Sequence, residues 1–170
     1  AGIGAQLLGT SHRQAPIKNM LTEKYTTHGV SHGLTEAGYD LRIKQAITFF
    51  KHKGESIIQL MHPDGEVVES TGKFALASAI EEFQMPNNLM GIVHDKSSWA
   101  RRGLSVFNTC IEPGWAGHLT LELVYHGEDD LFIPAGSGIA QVIFHDLTET
   151  AKYTGKYQGQ ADKPVPAILV

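Results

Sequence analysis

Apolar and polar residues alternate most regularly over the stretch HLTLELVYHG. One face of this stretch carries Leu119, Leu121, Leu123 and Tyr125, and the other carries Glu122 in its middle. A period of two residues is that of a β-strand with one buried face. The pattern therefore predicts a strand here.

Short segments between turn residues predict several more strands. SIIQLMHPDGEVVEST indicates two strands around a Pro-Asp-Gly turn, and DLFIPAGSGIAQVIFHDL two strands around a glycine-rich corner. YDLRIKQAITFF indicates another strand, while KFALASAIEEF fits a strand or a helix, with a strand favoured for its first half. Only IKNMLTEKYTTHG has helical spacing. Many short strands between turns predict a mainly all-β sandwich, jelly roll or barrel.

The chain changes character at Thr150, where the polar segment TAKYTGKYQGQADKPVPAILV begins. Such a segment rarely builds a strand core, so it is either a disordered end or an arm that orders on something else. The length of 170 residues suits one domain. We therefore predict a single domain over residues 1–170, with an N-terminal segment at 1–34 and a C-terminal arm at 150–170.

Composition narrows the possible partners. The net charge of −4 argues against broad nucleic-acid binding, which needs a basic face. No apolar run approaches the ~20 residues of a membrane span, and AGIGAQLLGTSHRQ does not read as a signal peptide, so we expect neither. The single cysteine, Cys110, excludes an internal disulfide and a multi-cysteine metal site and fits a reducing, cytoplasmic compartment. The nine histidines show no metal-ligand spacing.

One short stretch, DKSSWARRGL, gathers three cations and two serines in a chain that is only 19% charged. Backbone N–H groups in a turn, serine hydroxyls, a lysine and two arginines can together bind a phosphate. A solvated basic turn is the other interpretation, and the stretch alone does not decide between them.

Three further positions also have two interpretations each. Glu122 is either an exposed strand residue or a partly desolvated general base. Glu112, in the turn EPGWAG, is either solvated or bonded to a sugar hydroxyl. In KYQGQ, Lys156 suits a phosphate and Gln160 a base edge, unless the tail is simply flexible.

Taken in order, several motifs resemble the dCTP deaminases of the trimeric dUTPase-like superfamily. The matching motifs are EAGYDLRI (36–43), FALASAIEEFQMPNNLMGIV (74–93), KSSWARRGL (96–104), IEPGWAGHLTLEL (111–123), AGSGIAQVIF (135–144) and GKYQGQ (155–160). The resemblance implies a distorted β jelly roll, here with a short N-terminal helical part. It also implies a homotrimer with shared active sites and a C-terminal arm that closes over the nucleotide.

The resemblance also implies roles for individual residues. Glu122 would activate water and shuttle protons, supported by Ser97 and by Arg101, which would lie close to Glu122 and keep it ionised. The implied substrate contacts are Lys96, Ser97 and Ser98 on phosphate, Glu112 on the sugar 3′-hydroxyl, Thr120 and Leu121 beside the base, and Tyr153, Lys156 and Gln160 in the arm. Arg102 receives no role.

The implied reaction is hydrolysis of dCTP to dUTP and ammonia, in pyrimidine deoxynucleotide metabolism. Zinc-dependent deaminases carry an H-x-E…P-C-x-x-C signature, which a chain with one cysteine cannot supply. We therefore expect general acid/base catalysis without zinc. Mg²⁺ would arrive bound to the triphosphate, with no protein metal site.

The segment RRGLSVFNTCIEP departs from the family, because it is shorter than usual and lacks the usual small-residue–His pair. This leaves open whether dTTP inhibits the protein and whether the substrate is dCTP, dCMP or a modified cytosine nucleotide. A bifunctional dCTP deaminase/dUTP pyrophosphatase is an alternative. A plain dUTPase fits less well, because EPGWAG and KYQGQ differ from dUTPase motifs, and a non-enzymatic nucleotide sensor would not need Glu122.

Overall fold

The computed structural model describes residues 14–170, which form thirteen strands and one short helix. The elements are β1 (Lys24–Thr27), β2 (Val30–Leu34), β3 (Tyr39–Arg42), β4 (Ala46–His52), β5 (Glu55–Met61), β6 (Val67–Thr71), β7 (Phe74–Gln84), β8 (Leu89–Asp95), α1 (Ser97–Ala100), β9 (Leu104–Val106), β10 (Cys110–Ile111), β11 (Ala116–Tyr125), β12 (Leu131–Ile133) and β13 (Gly138–Asp146). The expectations for residues 1–13, including the absence of a signal peptide, lie outside the described residues.

Three antiparallel sheets surround the apolar core. Their strand orders are β1-β2-β3-β13-β8-β10, β7-β11-β9 and β12-β4-β5-β6. Alternation buries one face of each central strand, so Leu41 on β3, Ile47 on β4 and Leu123 on β11 are fully enclosed. The prediction of a mainly all-β protein is confirmed. In the part of the chain that the structure describes, no helix has the length and apolar character of a membrane span.

The alternating stretch HLTLELVYHG forms most of β11, as predicted, and pairs along its length with β7. β7 covers almost all of KFALASAIEEF, so the strand favoured for its first half continues to the end. The pairing shifts register between His118 and Thr120. Irregularities of this kind re-aim side chains, and this one lies just before Glu122.

The predicted helix over IKNMLTEKYTTHG is wrong. Ile17 instead makes a β-bridge to Phe83, and β1 follows at the end of the segment. β1 and β2 form a hairpin whose turn residues, His28 and Gly29, have φ of 53° and 77°. Two consecutive positive φ values define a turn that matches strand twist, and the β-branched pair Thr26–Thr27 favours a strand before it.

YDLRIKQAITFF forms two strands, β3 and β4, rather than one. The break lies at Gln45, which is buried and exchanges hydrogen bonds of 2.8 and 2.9 Å with Ser78. The two strands predicted around the Pro-Asp-Gly turn are confirmed as β5 and β6, which pair with each other. The two strands predicted around the glycine-rich corner are confirmed as β12 and β13, which belong to different sheets.

Candidate active site

A cavity of about 530 Å³ lies between β11, the segment 109–115 and the C-terminal tail. Its wall is mainly apolar, with Leu76, Ile111, Trp115 and Leu119 among the lining residues. Five of the residues singled out in the sequence also line it: Glu112, Thr120, Glu122, Tyr153 and Gln160. A concave, mostly apolar pocket with a few converging polar groups has the form of a small-molecule site.

Glu122 faces this cavity because of strand parity. Its neighbours Leu121 and Leu123 point into the core, where they are 1% and 0% exposed. Leu76 of β7 lies directly opposite Glu122 in the register and also lines the cavity. The Glu122 carboxylate is therefore held in a largely apolar wall.

The surroundings of Glu122 raise its pKa above that of an ordinary glutamate. Burial is the main cause, and hydrogen bonds from the Glu122 backbone and from the Thr109 hydroxyl oppose it. Thr109 Oγ1 lies 3.4 Å from Glu122 Oε2. Among residues 14–170 no cation forms an ion pair with Glu122. A raised pKa makes a carboxyl group a better candidate for general acid/base catalysis than an ordinary exposed glutamate.

The basic stretch DKSSWARRGL does not reach the cavity of its own chain. Trp99 of α1 is buried and donates its indole N–H to Gly138 O at 2.7 Å, which anchors the helix. Ser97, Ser98 and Arg101 are exposed on the surface around it. Arg102 lies over the Trp99 ring, with its guanidinium carbon 5.3 Å from the centroid.

Lys96 differs from the other residues of the basic stretch because its ammonium group has internal partners. Lys96 is 9% exposed, and Nζ lies 2.5 Å from Asp40 Oδ2 and 3.0 Å from Ser31 Oγ. Asp40 itself is 2% exposed. The structure therefore gives Lys96 a buried ion pair, and the predicted phosphate contact remains without geometric support.

The predicted closeness of Arg101 to Glu122 is not found within one chain. α1 leads into β9, and Leu104 at the start of β9 pairs with Tyr125, three residues beyond Glu122 along β11. Three residues of strand span roughly 10 Å. Arg101 is exposed and forms no ion pair with Glu122 among residues 14–170.

The C-terminal tail packs against the chain's own body and closes one side of the cavity. Trp115 donates its indole N–H to Tyr157 O at 2.7 Å, and Gly117 forms a parallel bridge with Gln160. The Gln160 amide bonds His118 O at 2.7 Å and the Thr120 hydroxyl at 3.1 Å. The polar tail is therefore ordered against its own chain, whereas the sequence predicted either a disordered end or an arm that orders on something else.

Farther along the arm, Val165 N donates to Thr120 Oγ1 at 3.0 Å, and Val165 and the two residues after it line the cavity. Lys156 lies outside the cavity, where its ammonium bonds Ile168 O and sits 5.6 Å from the Tyr157 ring centroid.

Sequence reasoning assigned no functional role to several lining residues. Thr109 and Cys110 belong to the NTC segment (residues 108–110), which lies within the stretch RRGLSVFNTCIEP that departs from the family. Trp115, in the turn EPGWAG, has the sequence context of a packing residue. Cys110 lies beside Glu112, and burial followed by the nearby Glu112 carboxylate raises the pKa of its thiol to about 11. In the sequence, the departure of this segment from the family pattern is the feature that points to Thr109 and Cys110, because the segment lies close in the chain to the strand that carries Glu122.

No group of three or more His, Cys, Asp or Glu side chains within residues 14–170 is arranged to hold a metal ion. The polar groups of the cavity include two carboxylates, two threonine hydroxyls, two tyrosines, a thiol and an amide.

Comparison with known proteins gives consistent matches. A family model described as dCTP deaminase-like matches residues 12–147. A dCTP deaminase of Campylobacter curvus is 35% identical over 173 residues, covering 94% of this chain and 93% of that protein. A dCTP deaminase of Helicobacter hepaticus is 35% identical over 157 residues, covering 82% and 84%.

Two solved structures of staphylococcal phage dUTPases share the fold. The phage phi11 enzyme, studied for its structural Mg(II) ion, gives a TM-score of 0.51 at 13% identity, covering 84% of this chain and 94% of that one. The phage 80alpha enzyme gives 0.50 at 16% identity, with the same coverage. At these identities the likeness concerns the fold alone, and it confirms the predicted dUTPase-like jelly roll.

Proposed function

The chain belongs to the dCTP deaminase-like family, and from this premise we propose that it hydrolyses dCTP to dUTP and ammonia, in pyrimidine deoxynucleotide metabolism. Its relatives, at about 35% identity over most of their length, are named dCTP deaminases, which makes the chain a hydrolytic enzyme of this class. A cytoplasmic location suits this role and the single cysteine.

The observation that carries the proposal is the Glu122 carboxylate in an apolar cavity. A raised pKa brings a carboxylate closer to the pH at which it can both accept and return a proton. The cavity is also closed on one side by the arm, which limits access of bulk water. These features favour a general acid/base role over a structural one.

The chemistry requires one water and one proton carrier. Glu122 takes a proton from the water as its oxygen bonds to C4 of cytosine, and that proton passes to N3 of the ring. A second proton from the added hydroxyl then moves to the exocyclic nitrogen, the C4–N4 bond breaks, and ammonia leaves. Because the zinc deaminase signature needs a pair of cysteines, the single Cys110 favours a route without zinc.

The nucleoside is recognised by groups already in the cavity. Thr120 and the Leu121 backbone lie beside Glu122 on β11 and serve the base, and Glu112 serves the sugar 3′-hydroxyl. Tyr153 and Gln160 close the site from the arm, and Lys156 serves the phosphates when the arm adjusts to bound nucleotide. Mg²⁺ arrives on the triphosphate oxygens.

The triphosphate needs cations that the cavity of one chain does not provide. The charged residues among its described lining are Glu112 and Glu122, both acidic. Ser97, Ser98 and Arg101 are exposed elsewhere on the surface, in a form suited to meeting an anion. We infer a homotrimer in which these residues of one copy, with Lys96 at their base, complete the site of the next.

The proposal is tested by incubating the protein with dCTP and, separately, with dUTP, and by following ammonia and pyrophosphate. Ammonia from dCTP without pyrophosphate is expected. Pyrophosphate from both nucleotides together with ammonia would indicate the bifunctional enzyme, and pyrophosphate from dUTP alone would contradict deamination. A parallel incubation with dCMP tests whether the triphosphate is required.

Glu122→Gln is expected to abolish ammonia release while leaving dCTP affinity within about tenfold, or ~1.4 kcal/mol. The amide keeps the shape of the side chain but cannot accept the proton of the water. Glu55→Gln, at an exposed position of β5, is the matched control and should retain full turnover. Near-normal turnover by Glu122→Gln would contradict the general-base assignment.

A further inference from the structure

Thr109 connects two sheets beside the proposed catalytic carboxylate. Its carbonyl accepts a hydrogen bond of 2.9 Å from Val93 N on β8, which ties the main chain to the six-stranded sheet. Its hydroxyl reaches Glu122 on β11, in the three-stranded sheet, at 3.4 Å. The side chain is half-buried and lines the cavity. Its position is therefore fixed by the fold rather than by the loop alone.

The Glu122 carboxylate has two hydrogen-bonding partners among residues 14–170, its own backbone and the Thr109 hydroxyl. Among residues 14–170, Thr109 is the only other residue whose side chain hydrogen-bonds to it. The final torsion of a glutamate is broad and roughly two-fold, so a carboxylate without a fixed partner samples many orientations. A hydroxyl on Oε2 favours one orientation of the carboxylate and leaves Oε1 without a side-chain hydrogen bond among residues 14–170. Hydrogen bonds to catalytic groups are often long without substrate and tighten in the complex.

The same contact acts on ionisation, with a definite sign. Burial raises the pKa of Glu122, and the Thr109 hydroxyl opposes this by donating to the ionised form. Loss of the hydroxyl therefore leaves the pKa higher still, and a larger part of the carboxyl is protonated at a given pH.

We propose that Thr109 is a positioning residue for the deamination, holding one oxygen of Glu122 so that the other meets the attacking water. The inference rests on the proposed function, and it gives a role to the NTC segment that differs from the family pattern. Thr109 acts through Glu122 and does not itself touch the reacting atoms.

The test compares Thr109→Val, which keeps the β-branched shape and removes the hydroxyl, with Thr109→Ser, which keeps the hydroxyl. In Thr109→Val, kcat for ammonia release is expected to fall by roughly tenfold, since hydrogen bonds to charged groups are among the stronger ones. The acidic limb of the kcat–pH profile should move to higher pH, with KM for dCTP within about twofold. Thr109→Ser should restore both, and Thr71→Val, on the exposed strand β6, should change neither.

A second readout does not depend on turnover. The Glu122 carboxyl is titrated by ¹³C NMR of the glutamate-labelled trimer, with Glu122→Gln used to assign its signal. The titration should move to higher pH in Thr109→Val and return in Thr109→Ser. An unchanged titration and an unchanged profile in Thr109→Val would overturn the inference while leaving the deaminase proposal intact. A wild-type protein that released no ammonia from dCTP would instead refute the proposed function, and the titration would still decide whether Thr109 holds Glu122.

Discussion

Single side chains of this molecule divide into those held by internal partners and those free to meet a ligand. Lys96 belongs to the first group, because its ammonium is buried against Asp40 and Ser31. Its neighbours Ser97 and Arg101 belong to the second, because they are exposed. A lysine that pairs with a buried carboxylate stabilises the folded chain, whereas a lysine that contacts phosphate contributes to substrate binding.

Replacing Lys96 with Met is expected to lower the free energy of unfolding by about 3–5 kcal/mol, because Asp40 is left buried without its partner. Urea denaturation measures the loss. The double variant Lys96→Met/Asp40→Leu should recover most of it, since both charges are then removed together. Lys18→Met, which breaks the exposed Lys18–Glu82 pair, is the control and should change stability by less than ~1 kcal/mol.

The opposite result would favour the role expected from the sequence. If Lys96→Met left the urea midpoint unchanged and raised KM for dCTP, the lysine would serve phosphate rather than the fold.

At the scale of elements, the site depends on how the arm docks against β11. Gly117 lies where the two meet, with φ of 141°. A Cβ at this position would lie 2.6 Å from Gln160 N and 3.0 Å from Gln160 O, which are backbone atoms that cannot move aside locally. A glycine here is therefore a condition for the bridge that holds the arm over the cavity.

Gly117→Ala is expected to release the arm and to lower kcat/KM for dCTP by at least about tenfold, since Gln160 loses its place beside Thr120. Limited trypsin digestion measures the release directly, with faster cleavage after Lys152 and Lys156 and an otherwise intact body. Gly72→Ala is the matched control, because Gly72 also has positive φ, 106°, but open space around it. Equal tryptic patterns in the two variants would mean that the arm does not depend on close packing at Gly117.

The elements that the sequence predicted correctly are those in which the local hydrophobic pattern agrees with the tertiary packing. β11 has strict alternation, and its apolar face is the buried one. The N-terminal helix prediction is wrong because β1 is stabilised by pairing with β2 across a short hairpin, and helical periodicity does not detect such pairing. The His28-Gly29 turn between β-branched residues was a hairpin signal that the periodicity obscured.

For the whole molecule, the sequence predicted the fold class. It also identified about half of its candidate site residues at positions that the structure places around one cavity. Glu112, Thr120, Glu122, Tyr153 and Gln160 line one cavity. Thr109 could not be found by pattern, because its contact with Glu122 joins two sheets and depends on their relative placement. The buried partner of Lys96 could not be found either, since Asp40 is far from it in the chain.

Three of the remaining candidates, Ser97, Ser98 and Arg101, lie away from the cavity of their own chain, and we propose that their role depends on assembly. If one copy supplies Arg101 and the next supplies Glu122, then Arg101→Ala and Glu122→Gln damage the same site from two different chains. Each variant alone should be inactive as a homotrimer. In mixed trimers, some interfaces combine two undamaged halves, so activity should return.

Co-expression of the two variants with different tags and purification of the mixed trimers tests this directly. Up to about a third of the wild-type ammonia release is expected, because every mixed trimer has one site in three with an intact Arg101 facing an intact Glu122. Mixing Arg101→Ala with Ser97→Ala is the control and should recover nothing, because both residues come from the same half of the site. No recovery with the first pair would mean that each chain completes its own site, which would require α1 and β11 to approach each other more closely than they do in this fold.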